Sequence, residues 1–315
     1  MLSEVLAPEQ IKEDAESLQI WGKDWTNGFV VAPSAIVFPE SIEQLQDLVA
    51  HARSHDLKLV PSGGRTGLSG GAVASQGEVV VSFDRMNQIL DFSPEDRIVT
   101  CQPGVITANL QAFAAEQGLF YPVDFASSGS SQIGGNVATN AGGIKVIRYG
   151  LTRDWVAGMK VVTGTGALLD CNAGLIKNAT GYDFRHLMIG SEGTLGLIGE
   201  LDMYLAPQPL PQAVMVVGVP EITDLLNILN FFNDRLTLSA FEFFSDLALQ
   251  KVQAHRKLPA PLEIRVENYA LLEFDESDLS SAEEAFVSCM DRGWLVDGVV
   301  SQSQAQAASL WQLRE

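Results

Sequence analysis

Five of the nine residues from Gly63 to Gly71 are glycine, in the run Pro61-Ser62-Gly63-Gly64-Arg65-Thr66-Gly67-Leu68-Ser69-Gly70-Gly71. A backbone with so few Cβ atoms takes positive φ at little cost and turns several N–H groups toward one point, which makes a nest for an anion. A bare turn between strands does not need that sacrifice of chain entropy, so a phosphate binder is the favoured reading. The run is not a P-loop, because no Gly-Lys-Ser/Thr follows, and its glycines are spaced wrongly for the dinucleotide motif G-x-G-x-x-G. A second stretch, S-S-G-S-S-Q-I-G-G-N-V-A-T-N-A-G-G from Ser127 to Gly143, sets hydroxyls, amides and glycines together with no acid among them. Two donor-rich loops imply one elongated ligand. A third, G-S-E-G-T-L-G-L-I from Gly190 to Ile198, follows Thr180-Gly181-Tyr182-Asp183 and leads into a strand, but alone it reads equally well as a plain turn.

Other reactive side chains are few. Of the four histidines, His51, His55, His186 and His255, the first two have the i, i+4 spacing of a metal pair, yet no glutamate or third ligand accompanies them in sequence. They are expected at the surface, His55 favoured by the dipole at a helix C-terminus. Cys101, Cys171 and Cys289 are odd in number and far apart, which suits neither a disulfide framework nor a zinc site. They read as buried small hydrophobes in a reducing compartment.

The elements that must hold the loops are legible around them. Ser41-Ile42-Glu43-Gln44 is a capping box that opens an amphipathic helix ending near His55. Residues 57–60 then form a strand that delivers the chain into the first glycine run, residues 78–83 form another, and a helix over 107–117 stops at Gly118. Past the proline-rich Ala206-Pro207-Gln208-Pro209-Leu210-Pro211, which must run extended, the patterns read β, α, β, β, α, β, the order of a ferredoxin-like sandwich. Composition changes at the same place: 23 of the 28 glycines lie in residues 61–200 and 3 in residues 201–315. Net charge divides likewise, −3 against −10, so the glycine-rich part repels an anionic ligand less.

The whole chain, 315 residues with 46% hydrophobic and 19% charged, has material for a large core or two ordinary ones. Its net charge of −19 excludes nucleic acid and polybasic membrane binding. No apolar run approaches the ~20 residues of a membrane span, and the N-terminus lacks a signal peptide pattern. The expectation is a cytoplasmic protein, free or resting on the inner face of a membrane.

Taken together, P-S-G-G-R-T-G-L-S-G-G-A-V, I-G-G-N-V-A-T-N-A-G-G, R-Y-G, T-G-Y-D and G-S-E-G-T-L-G resemble the FAD-binding, PCMH-type flavoproteins of the vanillyl-alcohol oxidase superfamily. The resemblance is to the branch with D-2-hydroxyglutarate and D-lactate dehydrogenases and the glycolate oxidase flavin subunit, over roughly residues 30–315. It implies an α+β fold: an N-terminal helical segment (1–29), a PCMH-type FAD-binding domain of two α/β subdomains (30–208), and an incomplete ferredoxin-like substrate domain of the FAD-linked oxidase C-terminal type (209–315). It also implies that Ser62, Gly63, Gly64, Arg65, Thr66, Gly67 and Leu68 hold the FAD diphosphate. Pro122, Ser128, Gly129, Gly134, Gly135, Thr139, Asn140 and Gly143 would flank flavin and ribityl, with Glu192 and Ile198 near the adenosine half. No histidine stands in or beside the first loop and no cysteine in the second, the residue types that link flavin covalently in this superfamily, so FAD is expected to be non-covalent.

The sequence stops at Leu310-Trp311-Gln312-Leu313-Arg314-Glu315 in an uncapped amphipathic helix. On the resemblance, Arg314 receives the substrate carboxylate, while the catalytic residues and any divalent metal, with its histidines, are expected beyond Glu315 and none within the chain. The implied reaction is oxidation of a D-2-hydroxy acid of the D-lactate, D-2-hydroxyglutarate or glycolate type, by hydride transfer to flavin N5. Electrons then pass to a quinone, a cytochrome or an electron-transfer flavoprotein. Three rivals stay open at this point: an alcohol or aldehyde oxidase of the same fold, a flavin-holding electron-transfer subunit, and a nucleotide-binding module without redox chemistry.

Overall fold

In the computed structural model, which describes residues 2–172, 175 and 177–314, the chain forms two units: residues 1–142 with 151–207, and residues 143–150 with 208–315. Unit 1 begins with β1 (Ile11–Lys12), α1 (Ala15–Trp21), β2 (Ala35–Val37), α2 (Ile42–Ser54), β3 (Leu59–Ser62) and β4 (Val79–Ser82). Ser41 caps α2 as its sequence requires, the Oγ accepting from Gln44 N at 3.3 Å. The strands form one sheet in the order β1-β2-β4-β3, with β2 parallel to β4 and β4 parallel to β3. Their uninterrupted Val/Ile runs suit strands buried on both faces: Val37, Val79 and Val81 pack with Leu45 and Leu48 of α2, and Ile36 and Val80 pack on the other side. Residues 1–29, expected to be helical, carry α1 but also β1, which pairs with β2.

The chain continues through β5 (Ile89–Ser93), β6 (Ile98–Cys101), α3 (Thr107–Glu116), β7 (Leu119–Phe120) and α4 (Ile133–Thr139). Next come α5 (Val146–Tyr149), β8 (Val156–Thr163), β9 (Leu168–Cys171), α6 (Phe184–Met188), β10 (Gly196–Tyr204) and β11 (Ala206–Pro207). Here five antiparallel strands run β5-β6-β10-β8-β9, one face covered by a core that includes Tyr121, Leu110, Ile133, Leu201 and Met203. The opposite face is polar along part of its length, with Thr100 Oγ1 donating to Asp202 Oδ1 at 2.7 Å and Lys160 paired with Glu200. It is apolar at one end, where Val162 and Leu197 pack with Leu45 and Leu48 of α2. All three cysteines are free and buried, and burial pushes their thiols up to about 12 for Cys101 and about 11 for Cys171 and Cys289.

Unit 2 holds β12 (Gln212–Val219), α7 (Asp224–Asn233), β13 (Leu238–Ser245), α8 (Asp246–Arg256), β14 (Asn268–Asp275), α9 (Leu279–Asp291), β15 (Asp297–Val300) and α10 (Gln304–Trp311). The antiparallel order β13-β14-β12-β15 is that of a ferredoxin-like sheet. Met215, Val217, Leu272 and Phe274 point to one face and pack with Ile228, Phe232, Ala285 and Cys289 of α7 and α9. Val214, Val216 and Leu271 point to the other, where Leu249 of α8 and Ala307 and Leu310 of α10 cover them. The sheet is therefore buried on both sides. A linear reading of composition had no means of showing that residues 143–150 leave unit 1 and return to it, or that they are held here by charge.

Within unit 2, Arg148 of α5 takes Asp275 in a two-pronged pair, Nη1 on Oδ1 at 2.5 Å and Nη2 on Oδ2 at 3.3 Å, and Lys145 Nζ lies 2.9 Å from Glu273 Oε1. Both carboxylates are over nine-tenths buried. Burial alone would raise Asp275, but hydrogen bonds from Arg148 and Gln212 outweigh it and hold the carboxyl below its ordinary range. A depressed folded-state pKa adds stability above the unfolded value, about 4, that is lost as pH falls through the folded one. Asp275→Asn should cost about 2–3 kcal/mol at pH 7, less than a fully enclosed pair because Arg148 keeps some solvent. Urea unfolding of unit 2 should show the gap from wild type narrowing steadily below about pH 4, and a gap independent of pH would disprove the assignment.

Candidate cofactor site

The first glycine run leaves β3 and curls back on itself in unit 1. Asp24, from the N-terminal segment, fixes it: Oδ2 accepts from Gly70 N at 2.7 Å, and Oδ1 takes Thr26 N and Oγ1 at 2.9 and 2.6 Å. Arg65 sits in the left-handed region (φ +58°) with its Nη1 on Gly63 O at 3.2 Å, a conformation the glycines around it permit. The second stretch, read from sequence as a loop, is loop only as far as Gln132. Residues 133–139 are α4, because tertiary packing overrides the poor helix propensity of two glycines: a Cβ on Gly134 would meet Pro103 Cβ at 2.4 Å. Thr107 Oγ1, fully buried, joins Ser131 Oγ at 2.8 Å and Asn136 Nδ2 at 2.7 Å, holding the entry to α4. The third motif hangs on the end of α4, with Glu192 N donating to Ala138 O at 2.9 Å.

These three stretches enclose a cleft of about 640 Å³. Ser62, Gly63, Gly64, Arg65, Thr66, Gly67, Leu68, Gly134, Gly135, Thr139, Glu192 and Ile198 line it. Pro122, Ser128, Gly129, Asn140 and Gly143 do not line it. Ser128 O accepts from Ala108 N and Asn140 Oδ1 from Arg153 N, so these two serve the backbone around the cleft, while Gly143 is counted with unit 2. Asp24, Gln132 and Asn136 line the cleft and escaped the sequence reading. Asp24 had no local signal, whereas Gln132 and Asn136 stood in the quoted motif and were passed over for its glycines.

The lining fits a ligand of FAD's kind. Its volume suits one large molecule. Among the described residues only four buried side-chain polar atoms lack a partner, and two of them, Ser62 Oγ and Gln132 Oε1, belong to cleft residues. Space is reserved for backbone: a Cβ on Gly64 would stand 2.1 Å from Ser130 O. Gly135 differs, its nearest neighbour being Gly63 Cα at 4.0 Å, so a side chain there would grow into free space.

His55 is exposed as expected, but His51 departs from expectation. His51 is buried and stacks on His55 with ring centroids 4.0 Å apart, and burial lowers its pKa. Glu4 Oε2 lies 3.8 Å from His51 Nδ1, so a carboxylate does accompany the pair, arriving from the N-terminal turn where sequence spacing could not show it. Arg314, in unit 2, donates from Nε to Glu242 Oε2 at 2.6 Å, and Trp311 Nε1 donates to Glu273 Oε2 at 2.9 Å.

Comparison with known proteins agrees with the cleft. Residues 33–172 match the FAD binding domain family and residues 208–315 the C-terminal domain of FAD linked oxidases. The chain belongs to the FAD-linked oxidase family, and it is an FAD-binding oxidoreductase. Its relatives include the D-2-hydroxyglutarate dehydrogenase of Stutzerimonas stutzeri strain A1501, 58% identical over all of this chain and 68% of that protein. The mitochondrial enzyme of that name from Rattus norvegicus is 34% identical over 99% of the chain and 59% of its own length. Among solved structures, an alkyldihydroxyacetonephosphate synthase (TM-score 0.77, 19% identity, 99% of this chain and 62% of that one) shares the fold. So does p-cresol methylhydroxylase (TM-score 0.77, 16% identity, 99% and 67%). No helix among the described residues is long and apolar enough to cross a membrane.

Gly64→Ala should leave the purified protein without bound flavin, since the new Cβ displaces Ser130 and with it the second loop. Gly298→Asp, a tempting control far from the loops in sequence, would drive its Cβ to 2.4 Å from Phe286 and is unsuitable. Gly164→Asp meets nothing within 4 Å and should keep a normal flavin content, read as absorbance per chain. Full flavin in Gly64→Ala would move the ligand elsewhere.

Proposed function

We propose that this flavoprotein oxidises D-2-hydroxyglutarate to the corresponding 2-oxo acid. The observation that carries the reading is the 58% identity, over the entire chain, to a bacterial D-2-hydroxyglutarate dehydrogenase. Bound FAD supplies a two-electron acceptor for the α-carbon hydride. The cleft residues of the first loop, Ser62 to Leu68, hold its diphosphate through backbone N–H groups, and Gly134, Gly135 and Thr139 flank the ribityl and flavin portion. Glu192 and Ile198 close the adenosine end. The bond to FAD is non-covalent, a reading supported by a lining without histidine or cysteine among the described residues.

Arg314 receives a carboxylate of the substrate. Glu242 occupies the Nε edge of its guanidinium, and the two Nη groups form the edge that suits a second carboxylate in two-pronged fashion. Trp311, bonded to Glu273, fixes the end of α10 one turn earlier and so sets where Arg314 emerges. The proton acceptor is assigned to none of the four histidines. The electrons leave to a quinone, a cytochrome or an electron-transfer flavoprotein.

Protein expressed from its own locus should release its yellow colour into the supernatant on acid precipitation. Anaerobic stopped-flow mixing with D-2-hydroxyglutarate should bleach the flavin, and the L-enantiomer should not. Arg314→Met should keep full flavin yet lose about 10–100-fold in the second-order rate of bleaching, the worth of one or two charge-assisted hydrogen bonds. Bleaching by D-lactate or glycolate but not by D-2-hydroxyglutarate would overturn the substrate assignment.

A further inference from the structure

Asp84 gathers donors from three separate parts of unit 1. Its Oδ2 accepts from the Trp21 indole Nε1 at 2.7 Å, its Oδ1 from Gln132 Nε2 at 2.8 Å, and Arg65 Nη1 lies 3.3 to 3.4 Å from both oxygens. Trp21 closes α1, Arg65 lies in the first loop, and Gln132 is the residue before α4. A carboxylate only accepts, so the nitrogen of the Gln132 amide must face Asp84 and the amide cannot be turned over. Its oxygen is thereby sent the other way. Oε1 stands 3.5 Å from where a Cβ on Gly63 would be, beside the point where the two loops meet, and it is buried with no donor among the described residues. Buried acceptors without partners are rare in native proteins and mark a missing ligand or water.

We propose that Gln132 Oε1 binds the ribityl chain of FAD, accepting a hydrogen bond from one of its hydroxyls, and that Asp84 is the positioning residue that aims it. The proposal rests on FAD as the ligand of this cleft. Chemistry selects the hydroxyl: diphosphate oxygens carry no proton at neutral pH, so an amide oxygen set beside them repels rather than binds. The ring N–H donors of FAD sit at the two far ends of the molecule, away from the diphosphate. Hydroxyls of the ribityl chain and of the adenosine ribose both flank the diphosphate and both donate. Gln132 immediately precedes α4, whose Gly134, Gly135 and Thr139 the proposed function sets beside the ribityl chain, which selects the ribityl hydroxyl. The same short stretch can also serve Ser62 Oγ, the other unpartnered atom of the cleft.

Flavin-free protein titrated with FAD and with its 2′-, 3′- and 4′-deoxyribityl analogues, followed by flavin fluorescence, tests this. At least one analogue should bind wild type about tenfold or more weakly than FAD. That ratio should fall to near one in Gln132→Leu, and also in Asp84→Asn, where the new side-chain amide offers Gln132 a donor and lets its own amide turn over. Equal affinity of the wild type for FAD and all three analogues overturns the proposal without requiring any variant to fold. A ratio that persists in Gln132→Leu does the same, because the lost hydroxyl then served another group. A wild-type protein that takes up no FAD defeats the reading of the cleft itself, a result distinct from either.

Discussion

Two stretches of backbone, more than sixty positions apart in the chain, meet where Gly63 and Gly135 approach each other, and both line the cleft. A Cβ built on Gly63 would meet Gly135 Cα at an ordinary contact distance of 3.5 Å, whereas one on Gly64 would stand 2.1 Å from Ser130 O, so glycine is fixed by approach distance at Gly64. The conformational entropy lost in ordering such loops has to be recovered from groups outside them. Asp24 and Asp84 do this, each carboxylate collecting donors from segments that have no other reason to be adjacent. Both carboxylates stay charged, but their oxygens are turned to donors of the protein, Gly70 and Thr26 for Asp24 and Trp21, Gln132 and Arg65 for Asp84.

The architecture was legible where period and turn chemistry are local. The helix start at Ser41, the glycine after the helix at Gly118 and the strands and helices expected past Pro211 follow from interactions within a few residues and stand in the structure. Two details differ: Gln44 Oε1 accepts from Glu40 N instead of closing a box on Ser41 N, and α8 stands between β13 and β14 where the order β, α, β, β, α, β had no helix. The glycine motifs likewise carried family and cofactor, because their chemistry is written in consecutive residues. What escaped is what depends on long-range partners. The carboxylate of Asp24 cannot announce that it will grip Gly70, nor Glu4 that it will reach His51. Gln132 was visible but mute: its importance comes from Asp84 leaving its oxygen without a partner, and no sequence pattern encodes an unsatisfied atom.

The segment 143–150 shows the same limit from another side. Its short helix α5, Val-Ile-Arg-Tyr, has no propensity that would hold four residues helical in isolation. Lys145 and Arg148 hold it instead, through Glu273 and Asp275 on one strand of unit 2, two residues apart and therefore on one face of β14. Ser239 and Trp311 add bonds to Glu273, and Gln212 to Asp275, so neither buried carboxylate is left short of donors. That completeness matters because an ion pair in a sheet interior gives little net stability, while breaking it strands a charge. Such a network specifies where the segment lies more than it stabilises the unit.

Charge poses a further problem that these pairs resolve. A protein of net charge −19 repels a dicarboxylate at long range, and residues 201–315 are its most acidic part at −10. Attraction must then come from groups at contact distance, yet Lys145, Arg148 and Arg314 each already hold a carboxylate of the protein. The first two hold partners that are buried and saturated with hydrogen bonds. Glu242 is different, joined to Arg314 by one edge of a guanidinium that is 40% exposed. Under the proposed function, an incoming carboxylate would take an edge already oriented by Glu242, without breaking the existing pair, so that little rotamer entropy would be lost on binding. On that reading Glu242 would serve the arginine by holding it still, and contact geometry at the remaining edge, not the long-range field, would supply the attraction.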